Sequence, residues 1–123
     1  MTEFNAGTFT TITFSPSLTN RSGLQRDGKH LTIDNFQNPR AKLLERVRIS
    51  GTSGTITGAT TLDGRGNLSA AAIADGMIVG DWLVNRRHSI ALWPYPAGGK
   101  ATTLLKRPTQ GLEGLTVSSG AQR

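Results

Sequence analysis

Residues 38–50 read NPRAKLLERVRIS, and whether this stretch is helix or strand decides between an all-β chain and a mixed one. As a helix, Asn38 is a good N-cap and Pro39 suits the first helical position. Leu43, Leu44 and Val47 then share a face. As a strand, Ala41, Leu43, Val47 and Ile49 fall on one side, with Glu45 interrupting the row. Arg40, Lys42, Arg46 and Arg48 fall on the other side, joined by Leu44. Both periods match. The strand is the working reading, and a short helix over about 39–48 is its alternative.

Outward from this stretch the pattern is β throughout. Upstream, TFTTITF predicts a strand over 8–14, stopped by Pro16. The polar run that follows, with Asp27-Gly28, reads as a loop or loose hairpin. HLTIDNF is a short strand. Downstream, TITGATTL predicts a strand, and DGRGN at 63–67 is a strong turn signal. LSAAAIA fits a helical turn or a small-residue strand. MIVGDWLV at 77–84 is a central-strand candidate and SIALW at 89–93 its return. PYPAGGK reads as a rigid loop, and ATTLLKR and GLTVSS as the last strands. Strands at such spacing with glycine-rich turns imply a small antiparallel sandwich or barrel rather than βα units. The 123 residues suit one β-rich domain with extended polar N- and C-terminal segments.

The chain has no cysteine, which excludes disulfides, thiolate zinc sites and thiol nucleophiles. Neither a signal peptide nor a transmembrane segment is read, and no membrane partner is expected. Net charge is +6, and ten of the fourteen basic residues are arginine. That balance favours an acidic partner, although the charges are scattered. Two sets of cations stand out as candidate partner or nucleic-acid contacts: Arg40, Lys42, Arg46 and Arg48 in one row, and Arg86 with Arg87.

Arg86 and Arg87 belong to DGMIVGDWLVNRRHSIALWPYP, residues 75–96. Val79, Asp81 and Leu83 alternate there with Ile78, Gly80, Trp82 and Val84. The simplest account is a hairpin with its tip at Asn85 to His88, and His88 as a solvated turn residue. Trp82, Trp93 and Tyr95 sit in apolar runs and suit a core or an interface more than a stacking platform for bases.

No catalytic, cofactor-binding or metal-binding set emerges. The two imidazoles, His30 and His88, lack any zinc spacing, and no serine sits in a GxSxG elbow. Asp63, Asp75 and Asp81 each stand beside a turn glycine or end a run, so they read as turn chemistry. AGGKATT around Lys100 lacks the spacing of a phosphate loop, and DGRGNL lacks the later glutamate of a calcium loop.

The segment SIALWPYPAGGKATTLLKRPTQGLEGLTVSSG, 89–120, resembles one blade of an NHL or gluconolactonase-type β-propeller, which implies antiparallel strands. In overall character, cysteine-free and rich in Gly, Thr, Ser and Ala, the chain is similar to accessory proteins of phage particles, such as decoration or joining subunits. That likeness implies a β-rich body whose extended termini lie across neighbouring subunits. The expectation is a non-enzymatic structural subunit whose partners are other protein subunits, in a homo- or hetero-oligomeric assembly. A nucleic-acid-binding β module is the alternative, and a carbohydrate-binding domain or small hydrolase a third.

Overall fold

The computed structural model describes residues 7–18, 21–37, 42–64 and 66–106. Among them there is no helix. Ten strands form two sheets: β1 Thr13–Ser15, β2 Ser22–Arg26, β3 Leu31–Asn35, β4 Lys42–Ser50, β5 Ser53–Asp63, β6 Asn67–Ala74, β7 Met77–Val84, β8 Arg87–Pro94, β9 Gly99–Lys100 and β10 Thr103–Lys106. The first sheet runs β1-β5-β4-β3-β2, with β9 also on β5, and the second runs β10-β8-β7-β6. Neither closes into a barrel, so the fold is an all-β, mainly antiparallel sandwich. Residues 42–50 are strand, which settles the helix question for that part. Arg40, with Asn38, Pro39 and Ala41, lies outside the described residues.

Each sheet is largely one consecutive meander, because short turns join neighbouring strands. Asp75-Gly76 and Asn85-Arg86 both adopt positive φ at two successive positions, the type I′ geometry that matches strand twist. The β7–β8 tip is therefore Asn85-Arg86 alone, and Arg87 and His88 are strand residues rather than tip residues. Between the sheets the chain passes through Gly64 and Gly66. A Cβ on Gly64 would stand 1.5 Å from the Trp82 ring, so only glycine fits.

The core lies between the sheets. Phe36, Leu44 and Leu62 of the first meet Leu68, Ile78, Ala91 and Trp93 of the second. Trp82 stacks on Trp93 with centroids 5.3 Å apart and planes 27° apart, a pairing worth about 0.5–1.5 kcal/mol beyond the area it buries.

Register decides which side of β4 meets this core. Leu44 is fully buried in it. Alternation then puts Lys42, Arg46 and Arg48 on the core-facing side, and Leu43, Glu45, Val47 and Ile49 on the outer side. Arg46 pairs with Gly58 and Val47 with Ile56, so Thr57 is an extra residue on β5, a bulge.

Several expectations shift. Of the expected 8–14 strand only 13 and 14 pair with the sheet, within β1, and 7–12 lie outside any strand. The polar run before β3 contains a true strand, β2. The small-residue stretch at β6 is strand, and the PYPAGGK loop contributes β9. Within the blade-like segment, β8 and β10 are antiparallel, but they belong to a sandwich sheet. The expected last strand, GLTVSS, lies outside the described residues.

Candidate interaction surface

The outer face of the first sheet is apolar as well as its inner one. Cross-strand register places Leu24 beside Ile33 and Glu45 on one row, and the exposed Arg26 beside Leu31, Val47 and Ile56 on the next. Ile49 lies beyond them opposite Gly54. Ile33 and Val47 are buried, whereas Leu24 is 65% and Ile49 41% exposed. At this end of the sheet Phe14 covers Gly54, where a Cβ would come within 2.5 Å of its ring.

Glu45 is the one acidic side chain that alternation places among these rows, and it is neutralised. Arg21 grips it with a fork, Nε donating at 2.9 Å and Nη2 at 3.1 Å, and Asn35 Nδ2 donates at 3.2 Å. A planar guanidinium matches a carboxylate in this way, and the buried charge requires it.

The basic row splits by depth. Lys42 is buried. Arg46 is half-buried and committed to protein: Nη1 donates to Thr60 Oγ1 at 2.9 Å and Nη2 to the Ala59 carbonyl at 3.3 Å. Arg48 is exposed, as are Arg86 and Arg87. Arg46 reaches the Tyr95 hydroxyl, beyond the C-terminal end of β8. Arg86 and Arg87 are at the other end of that strand, roughly 20 Å or more away for a strand of this length. The fold thus keeps Arg46 apart from Arg86 and Arg87.

Asp27 is a hub between the sheets. Its carboxylate accepts from the backbone N–H of Lys29 at 2.8 Å, the N–H of His30, the His30 imidazole at 3.1 Å and the Tyr95 hydroxyl. Desolvation alone would raise its pKa. The donors from Tyr95, His30 and Lys29 outweigh burial and hold it well below the usual carboxylate range. Burial, then Asp27, push the Tyr95 hydroxyl upward, so it stays a donor, with Arg46 offsetting part of the effect. Tyr95 is therefore a tie between the β2–β3 loop and the second sheet. Trp93 belongs to the core, and Trp82 packs partly buried against it.

A second carboxylate hub sits on the outer face of the second sheet. Asp81 is fully buried within β7, so it is not the turn residue its neighbour Gly80 suggests. It accepts from Ser69 Oγ at 2.8 Å, and the His88 Nδ1 lies 3.1 Å away. In a hydrolytic relay the imidazole stands between hydroxyl and carboxylate. Here the carboxylate stands between hydroxyl and imidazole, so His88 is not positioned to take the proton of Ser69. The Asp27 cluster repeats this order with Tyr95 and His30. Both arrangements collect donors rather than pass a proton. Among the described residues no three His, Asp or Glu side chains are grouped to hold a metal ion.

Buried Asp34 was not singled out by the sequence. Burial pushes its pKa up from 3.8 to about 6, with the Gln25 amide pulling it down a little. Gln25 also binds the β6 edge: its Oε1 accepts from Ile73 N–H at 3.0 Å and its Nε2 donates to the Ala71 carbonyl at 3.3 Å. The apolar outer face was missed too. Its signal was present in β4, where Leu44 stands on one side and Leu43, Val47 and Ile49 on the other, since a strand apolar on both sides expects cover on both. Comparison with protein-family models, curated proteins and solved structures finds no match to this chain.

Proposed function

We propose that this protein is a non-enzymatic structural subunit that docks onto other protein subunits of a larger assembly, of the kind met among accessory proteins of phage particles. The observation that carries this reading is the outer face of the first sheet, where Leu24 and Ile49 stand exposed beside the apolar side chains Leu31, Ile33, Val47 and Ile56, with Arg26 at the β2 edge. Its one carboxylate is already neutralised by Arg21 and Asn35. A surface of that kind marks an interaction site. The carboxylate-centred clusters add support, since neither aligns a nucleophile with a base. Nucleic-acid binding through the β4 row draws less support, because Lys42 is buried and Arg46 is occupied.

The test is native mass measurement, with and without nuclease, of the wild-type chain and of a Leu24→Lys/Ile49→Lys double variant. The expected result is a nuclease-resistant assembly that the variant loses while keeping its thermal unfolding midpoint. A monodisperse monomer at all concentrations, recovered from its source free of any larger particle, would overturn the reading.

A further inference from the structure

Asp27, Asp34, Glu45 and Asp81 all have buried side chains, but they are not equally provided for. Asp27 collects donors from Lys29, His30 and Tyr95, Glu45 from Arg21 and Asn35, and Asp81 from Ser69 and His88. Among the described residues Asp34 has one donor, the Gln25 Nε2, and it stands 3.4 Å from Oδ1. That is beyond the usual length of such a bond, and an ionised carboxylate offers about four acceptor sites. The sides facing Asp34 bring little else. Leu44 lies opposite it on β4, with Lys42 and Arg46 two residues to either side. Gly23 and Gln25 of β2, and Ala71 and Ile73 of β6, carry no charge. Neither cation of β4 pulls the Asp34 pKa down: burial pushes it up to about 6, opposed by the Gln25 amide alone.

The cover over this carboxylate is β2. Gly23 sits where β2 shifts register against β3, with φ at +64°, and a Cβ there would stand 2.1 Å from Asp34 Oδ2. The backbone of β2 thus rests directly on the carboxylate. As an edge strand, β2 pairs only with β3. Among the described residues its hydrogen bonds to the second sheet run through Gln25, which accepts from the Ile73 N–H and donates to the Ala71 carbonyl. One amide therefore holds the cover, seals the β6 edge and serves the poorly solvated acid.

We infer that β2 is a proton-gated latch on the seam between the sheets: protonated Asp34 keeps it shut against β6, and ionised Asp34 favours its lifting, which admits water to the carboxylate and bares the Ala71 carbonyl and Ile73 N–H. The sign follows from linkage. The closed form binds the proton more tightly than the open one, in which Asp34 returns toward 3.8, so opening grows from that pH upward and levels off above 6. The latch belongs to the single chain and stands whether or not the docking reading does.

The test is hydrogen–deuterium exchange of the Ile73 amide in the full-length chain between pH 4 and 7, corrected for the intrinsic pH dependence of exchange, with and without sub-denaturing urea. In the wild type, protection should fall on the order of 100-fold over that range. It should not respond to urea, because the opening is local. Asp34→Asn should keep its protection across the whole range, and Gln25→Ala should have lost it already at pH 4. Wild-type protection that stays level from pH 4 to 7 overturns the latch. So does a slope that survives in Asp34→Asn, an unchanged Gln25→Ala variant, or Ile73 exchange that follows global unfolding in its response to urea.

Discussion

Asp34 shows how one side chain writes itself into the pH dependence. Its carboxylate lies over Gly23, where a Cβ would stand 2.1 Å from Oδ2, and only Gln25 helps it to ionise. Its folded pKa, about 6, exceeds the unfolded 3.8, so the folded state binds the extra proton between those values. The contribution of Asp34 to stability is therefore fully present below pH 3.8 and is lost as pH rises through 6. Asp27 has the opposite sign: its contribution is present above the unfolded pKa and fades only in strong acid. Asp34→Asn should raise stability at pH 7 by on the order of 2–3 kcal/mol and flatten the profile between pH 4 and 7. Urea midpoints at unit pH steps check it. His88→Ala should act the other way. It leaves the buried Asp81 carboxylate with the Ser69 hydroxyl and should cost about 2–3 kcal/mol in the same assay.

At the scale of elements, Gln25 gives β6 a partner that it lacks in its own sheet. Its amide reproduces one step of a backbone ladder, accepting from Ile73 and donating to Ala71. Gln25→Ala should cost about 2 kcal/mol, and the Ile73 amide should exchange with deuterium faster than its neighbours in β7. Unchanged Ile73 exchange would show that the seal holds nothing. Here too lies the difference between legible and illegible sequence. β7 and β8 could be read because their alternation is clean and an Asn-Arg turn joins them. β2, SGLQR, could not, because its link to the second sheet is one amide side chain. Which side of β4 faces the core could not be read either. Its row of cations looks like a solvent face until Arg46 is seen bound to Thr60 and Ala59, more than ten residues away. Asp81 was misread for a similar reason: its partners, Ser69 and His88, lie on other strands.

For the whole molecule, the distribution of charge matters more than its sum. Of the described acids, Asp27, Asp34, Glu45 and Asp81 have buried side chains, and only Asp63 and Asp75 face solvent. Arg26, Lys29, Arg48, Arg86, Arg87 and Lys100 remain outside. Among the described residues the surface is thus more one-sided than the composition implies, yet Arg86 and Arg87 lie a strand's length from Arg46. Binding to single-stranded nucleic acid should accordingly be weak and salt-labile, with a log–log slope no steeper than about −2. A titration giving about −5 would require a continuous cationic track and would overturn this expectation.

The two stacked tryptophans are the only ones in the chain, Trp93 buried in the core and Trp82 partly buried against it. Their coupled optical transitions form a built-in gauge of the separation between layers. Docking on an outer face would leave that gauge still. A change of its signal during oligomer growth would mean that the sandwich opens as it joins its neighbours.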